Sequence, residues 1–199
     1  DNDCSLDALR GRQRGTLRIV LGINAVMFVV IVAAAWYGQS AALFADSFDN
    51  LGDAFTYGLS LYAVSRGAET KAKVALFKGV LILIGAMAVA AQVVYRLFVP
   101  GIPIFEVMGL FSLLALAANS VCLYLLWRHR NEDVNMSSVW ECSRNDIASN
   151  LSVFLAAGAV WLTGSGWPDL VVAAALAVLL LRSATRVISA ALAELRAAT

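Results

Sequence analysis

The sequence predicts an all-α membrane protein of six transmembrane helices with both termini cytoplasmic. Three observations carry this. Hydrophobic residues make up 60% of the 199 positions, enough for six spans of about 20 residues each. Charged residues make up only 15%, against about 25% in an ordinary soluble domain, and mean hydropathy is +0.76. The apolar residues also fall into separate runs with short polar breaks. Together these exclude a disordered chain, a disulfide scaffold and a nucleic-acid binder, and they argue against a soluble globular domain.

The runs lie at roughly 17–37, 40–64, 74–98, 104–127, 138–163 and 168–190. Each is long enough to cross about 30 Å of hydrocarbon as a helix. In lipid the backbone must satisfy its own hydrogen bonds, which makes helices the economical reading. Small residues such as Gly85, Ala86 and Ala173 allow helices to approach closely. Pro100, Pro103 and Pro168 all fall at or beside expected helix ends. The first run follows Arg10, Arg12, Arg14 and Arg18 and precedes Ala33-Ala34-Ala35, as in a signal peptide, but it is longer than a signal core and contains Asn24. It is therefore read as a span.

Basic residues set the orientation. Of the 15 Lys and Arg, all but Arg96 and Arg144 fall in the N-terminal tail, around the second–third and fourth–fifth connections, or at the C-terminal end. The positive-inside rule then puts both termini in the cytoplasm, which requires an even number of spans. Residues 1–16 are read as a cytoplasmic tail, 17–190 as the transport domain and 191–199 as a short cytoplasmic tail, with no soluble C-terminal domain. The stretch 128–137 is read as the longest loop. Cys4, Cys122 and Cys142 are an odd count at unrelated depths and imply no disulfide framework.

Function is expected where charge enters the apolar runs. Asp46, Asp49 and Asp53 lie in the second span, where a carboxylate costs about 2.5–3.5 kcal/mol on insertion scales. Asp49 and Asp53 are four residues apart and project from one helix face, flanked by Asp46. Thr56, Tyr57 and Ser60 continue a polar stripe that reads as the wall of a hydrated cavity. Adjacent carboxylates repel unless they share a proton or hold a cation between them, so the spacing suggests cation binding coupled to protonation. In the fifth span Cys142 and Asp146 repeat the four-residue spacing, and Ser149 and Asn150 extend that face. Counting at about 1.5 Å per residue brings the two pairs to a similar depth on antiparallel helices. Asp49, Asp53, Cys142 and Asp146 then form a site suited to tetrahedral Zn²⁺, with the thiolate favouring softer ions such as Cd²⁺.

Other readings stand beside this one. Cys142 taken alone is a small packing residue, and Asp49 with Asp53 suits a purely protonic relay. Asp46 lies nearer the outer end and suits a structural hydrogen-bonding role. Arg144 faces away from Cys142 and Asp146 and is expected to snorkel or pair with Glu141. Asn24, Gln92 and Asn119 read as interhelical glue. Trp36, Tyr37, Trp127, Trp140, Trp161 and Trp167 read as interfacial anchors, and His129 as a solvated loop residue. The ligand pairs sit on the middle helix of each three-span half, the arrangement of an inverted repeat.

At these residues the chain resembles the cation diffusion facilitator family of metal/proton antiporters. Ala41-Ala42-Leu43-Phe44-Ala45-Asp46, followed by Asp49 and Asp53, resembles the family's second-helix motif, and Cys142 with Asp146 and Ser149 resembles its fifth-helix motif. Asn24 and Asn119 fall where the first and fourth helices of the family often carry Asn. Trp167-Pro168-Asp169-Leu170, running on to Leu180-Leu181-Arg182-Ser183-Ala184, resembles the sixth helix. The resemblance implies that Asp49, Asp53, Cys142 and Asp146 are the transport-site ligands. It also implies a homodimer alternating between inward-open and outward-open states, with no cofactor beyond the transported metal. The chain departs from the family in three ways: Cys142 replaces the usual His, a His-rich loop is lacking, and so is the cytoplasmic ferredoxin-like domain. It is read as a short form, whose dimer would be held by membrane helices.

The expected function is therefore efflux of Zn²⁺ or Cd²⁺ by proton-coupled alternating access, in a bacterial inner membrane. The expected partners are the divalent metal, protons and lipid. The alternatives are a proton-coupled transporter of a small organic solute, a membrane-embedded metalloenzyme, and a non-transporting membrane sensor. The enzyme would need an open coordination position beside a general acid or base, and no span contains a His or an HExxH-type pair.

Overall fold

A computed structural model describes the backbone of residues 2–63, 68–127 and 134–197, and side chains within these except at 2–13, 60, 63, 68–71, 134–145 and 197. The described residues form six α-helices: α1 (Asn2–Gly38), α2 (Ala41–Ala63), α3 (Ala68–Phe98), α4 (Phe105–Trp127), α5 (Val134–Thr163) and α6 (Trp167–Ala197). Each expected span lies on one of them. The helices outrun the apolar runs: α1 reaches back to Asn2 and α6 on to Ala197, and α5 begins at Val134, inside the stretch read as a loop. Polar helix turns beyond the hydrocarbon leave no mark in hydropathy.

Among the described residues, five helices are long and apolar enough to cross a membrane: α1, α3, α4, α5 and α6. The exception is α2, whose 23 residues carry Asp46, Asp49 and Asp53. Its neighbours account for it. It packs against α1, α3, α5 and α6, so its polar face meets protein rather than lipid. By contrast, Val29, Ile84, Leu114 and Leu155 on the other helices point outward and exposed, as lipid-facing residues do.

The bundle divides into a compact group of α1, α2, α4 and α5 and a tightly packed pair, α3 with α6, which docks on α2 and, through α6, on α5. Small residues set the spacing. A Cβ on Gly79 would lie 2.7 Å from Ile188 of α6, and one on Gly85 would run into the Phe48 ring of α2. Phe48 in turn stacks edge-on against Phe44 at 5.2 Å.

Three turns meet at one end of the bundle. Helix α1 ends with Gln39 at φ 52 and the Ser40 amide donating back to the Ala35 carbonyl at 3.1 Å, a Schellman closure. Helix α5 ends with Gly164 at φ 59 and its amide donating to Val160 at 2.9 Å, the single-bond left-handed cap. The Ile104 amide donates to the Gly38 carbonyl at 2.9 Å, which ties the α3–α4 connection to the α1–α2 turn. Both chain termini therefore lie toward the opposite end. Trp36, Tyr37, Trp161 and Trp167 are exposed at the turn end and Trp127 at the other, as expected of interfacial anchors. Trp140, Glu141, Arg144 and His129 lie outside the residues whose side chains are described.

The core follows the same axis. Toward the turn end it is apolar, built from residues such as Ile31, Leu43, Val89, Met108, Val153 and Val160. Toward the terminus-bearing end, Leu17 and Val20 of α1 pack with Tyr57 of α2 and with Cys122 and Leu126 of α4.

Candidate metal centre

The polar residues lie inside the α1, α2, α4 and α5 group. On α2, Asp46, Asn50, Asp53 and Tyr57 recur at steps of four, three and four, and all are buried. Asp49 sits beside this face, half-buried. The Tyr57 hydroxyl donates to Asp53 Oδ2 at 2.7 Å. At Tyr57 this corrects the reading of the stripe as a hydrated wall, while Thr56 is half-buried. Tyr57 is fully buried and covers Asp53 on the terminus-bearing side. One residue earlier, the Lys78 ammonium of α3 donates to the Thr56 hydroxyl. The side chain of Ser60 is not among those described.

Helix α5 meets α2 at this level. Ser149 of α5 lies close to Asp49 of α2. The helices run antiparallel, so this contact fixes the register: one turn past Asp49, Asp53 faces the turn of α5 that holds Asp146. Asp146 is half-buried and lies within electrostatic reach of Tyr57, as does Asp53. Asn150, one turn along α5 from Asp146, is wholly buried, and neither polar atom of its amide has a hydrogen-bond partner. On α2, Asp46 Oδ2 and Asn50 Oδ1 are likewise buried without partners, although Asn50 Nδ2 donates to the Asp46 carbonyl at 3.2 Å. A structural hydrogen-bonding role for Asp46 is thus unfulfilled at that oxygen.

Of the four expected ligands, Asp49, Asp53 and Asp146 lie on facing parts of α2 and α5, while the side chain of Cys142 lies outside those described. Among the described residues, no three His, Cys, Asp or Glu side chains close into a metal-holding cluster. The sequence reading gave Asn24 of α1 and Asn119 of α4 to contacts between helices and left Cys122 of α4 aside. Asn24 of α1 donates through Nδ2 to its own helix at Val20 (3.0 Å) and lies 3.8 Å from Cys122 Sγ of α4. Asn24 therefore does join helices, and its partner is a cysteine that had been set aside as one of three at unrelated depths. Asn119, one turn before Cys122 and also buried, was the available signal, since positions i and i+3 share a helix face.

A second polar knot lies at the turn end. Asp169, in the first turn of α6, is buried and accepts from Ser40 Oγ at 2.6 Å and from the Ala41 and Ala42 amides at 2.8 and 3.0 Å. Ser40 Oγ also accepts from the Leu43 amide at 3.0 Å, a helix N-cap. The start of α2 is thus capped twice, once by its own serine and once by another helix, with a carboxylate at the positive end of its dipole. Arg96 closes the knot by donating to the Gln39 carbonyl at 3.0 Å and its Oε1 at 3.2 Å.

The arrangement suits binding and release of a cation. It holds carboxylates, amides, a phenol and a thiol in an otherwise apolar bundle, on several different helices. Among curated proteins, none matches the chain. The cation efflux transmembrane domain matches residues 17–196, nearly the whole chain. The chain belongs to that family, the cation diffusion facilitators, whose members are multi-pass membrane transporters of metal cations rather than enzymes.

Proposed function

We propose that the chain exports Zn²⁺ or Cd²⁺ in exchange for protons, with Asp49, Asp53, Cys142 and Asp146 as the ligands of the transported ion. The metal is the substrate, and the family calls for no cofactor. The observation that carries the reading is the packing of the acid-bearing faces of α2 and α5 on each other inside the bundle, where Asp46, Asp53 and Asn150 are buried. Carboxylates so close repel, and a divalent ion or bound protons relieve that repulsion alternately. Metal arriving from the terminus-bearing side displaces protons. Rocking of the helices opens the site to the turn end, where protons displace the metal. The pair α3 and α6 packs on both acid-bearing helices, on α2 through both its members and on α5 through α6, and it is the natural moving body. The working form is a homodimer held by membrane helices, in a bacterial inner membrane.

Flux into proteoliposomes under an imposed proton gradient tests this. Asp53→Ala and Asp146→Ala are each expected to abolish Zn²⁺ and Cd²⁺ uptake while leaving the purified chain monodisperse. Uptake at the wild-type rate by either variant would overturn the ligand assignment.

A further inference from the structure

We propose that a cleft between α1, α2 and α3, at the terminus-bearing end, binds an anionic phospholipid, with Arg14 and Arg18 as the headgroup clamp and an acyl chain laid along α2. Helices α1 and α3 each pack on α2, and among the described residues they share no extensive surface with one another. The gap between them is a cleft of about 410 Å³, within the range of ~300–1,000 Å³ common to ligand pockets. Leu21 of α1 and Val74 of α3 form its walls, and Ala54, Phe55, Gly58 and Leu59 of α2 form its floor. Gly58 keeps the floor low: a Cβ there would meet only Leu21, at an ordinary 3.9 Å. At the deeper end, Phe55 stacks edge-on against Phe77 of α3 at 6.0 Å.

The chemistry changes at the mouth. Arg14, Arg18 and Leu21 are spaced by four and then three residues, so both guanidiniums stand on the face of α1 that lines the cleft, one and two turns nearer the terminus-bearing end. Both are exposed, and among the described residues neither has an acidic partner. Lys73, also exposed, precedes Val74 on the far wall. Tyr62 is exposed at the rim, where a ring with a polar tip suits the interface between lipid and water. An apolar slot topped by unpaired positive charge fits a molecule with an apolar chain and a negative head. A neutral lipid leaves the arginines unused, and a free anion leaves the cleft unused. A second copy is a poorer occupant, because symmetrical packing on this face sets its Arg14 and Arg18 against these two.

Native mass spectrometry of the full chain in detergent, without metal, tests this by counting retained lipids. Phosphatidylglycerol is expected to be retained at lower concentration than phosphatidylcholine with the same acyl chains. Arg14→Gln/Arg18→Gln should weaken phosphatidylglycerol retention about thirtyfold, or ~2 kcal/mol, to the level of phosphatidylcholine. Gly58→Leu fills the floor and should reduce retention of both lipids. The unfolding midpoint should rise with phosphatidylglycerol and not with inorganic phosphate. Equal retention of the two lipids by the wild-type chain, or wild-type retention by the arginine variant, overturns the proposal. So does an equal rise with inorganic phosphate, which assigns the arginines to a free anion. A lipid-free dimer that Gly58→Leu dissociates gives the cleft to a second copy and overturns it as well. The arginine variant changes only exposed side chains and does not depend on how Gly58→Leu folds. No metal enters these measurements, so they are independent of the transport reading.

Discussion

Asp169 and Asp46 are almost equally buried, 3% and 1% exposed, and their surroundings are opposite. Asp169 accepts from one hydroxyl and two amides at the start of α2, with Arg96 nearby. Asp46, less than two turns further along α2, keeps Oδ2 without a partner, and the same is true of Asn50 Oδ1 and of both amide atoms of Asn150. Buried polar groups in folded proteins are nearly always satisfied, and a cluster of exceptions calls for a reason. The knot at the turn end is architecture: it holds the first turns of α2 and α6 together. The column below it is arranged for something other than stability. One bundle therefore contains two kinds of buried acid, and the number of protein donors tells them apart: three at Asp169, one at Asp53 and none at Asp46 Oδ2.

The strongest way to break this comparison is to remove the Asp169 carboxylate. Hydrogen bonds to a charged group contribute about 1.5–3 kcal/mol each, and losing one partner leaves the other buried and unsatisfied. Ser40 Oγ still caps Leu43, so part of the α2 start survives. Asp169→Ala is expected to cost about 3 kcal/mol overall, seen as a lower unfolding midpoint of the metal-free chain in detergent. Asp169→Asn, which keeps one acceptor oxygen, should lose roughly half as much. Transport per folded molecule should persist in both. An unchanged midpoint in Asp169→Ala would mean that the knot is not architectural.

Dependence on pH sharpens the same division. Carboxylate and thiol ligands must lose their protons to bind metal, so binding releases protons and affinity rises with pH. The sign is fixed by that exchange: each unit of acidification weakens Zn²⁺ binding by about tenfold for every proton displaced. Asp53→Asn removes one exchangeable proton and is expected to flatten the slope as well as weaken binding. Asp169→Asn should leave the slope at its wild-type value. Calorimetric titration with Zn²⁺ at several pH values measures both. Equal flattening by the two variants would erase the distinction between them.

The sequence made the helices legible because hydropathy and the prolines mark where an apolar run must begin and end. It made α2 legible as special because three acids in eight residues have no bland explanation in lipid. Partnership across the chain was not legible. Asp169 sits in the first turn of α6 and was legible only as part of the stretch that resembles the sixth helix, yet it caps a helix 128 residues earlier at Ala41. Cys122 has no spacing motif at all, and its neighbour Asn24 is 98 residues away. The four-residue spacing of Asp49 and Asp53 shows a shared face but not which side of it is covered. Tyr57 is a third polar step on that stripe by sequence and a buried cover over Asp53 in the fold.

The smallest expected change in stability is also the most discriminating. Asn150 is wholly buried, and neither end of its amide is paired. If it were structural, its removal would be costly. Replacing an unsatisfied buried amide by an apolar group of similar shape is instead nearly neutral or stabilising, because a desolvation cost disappears and no protein hydrogen bond is lost. Asn150→Leu is therefore expected to leave the unfolding midpoint unchanged or raise it slightly, within about 1 kcal/mol. Its neighbour by one helical turn is Asp146, so Zn²⁺ flux should fall at the same time. Stability and transport would then move apart in one variant, which a packing residue cannot bring about. A loss of stability comparable to that of Asp169→Ala would place Asn150 with the architectural groups and restrict the column to its carboxylates.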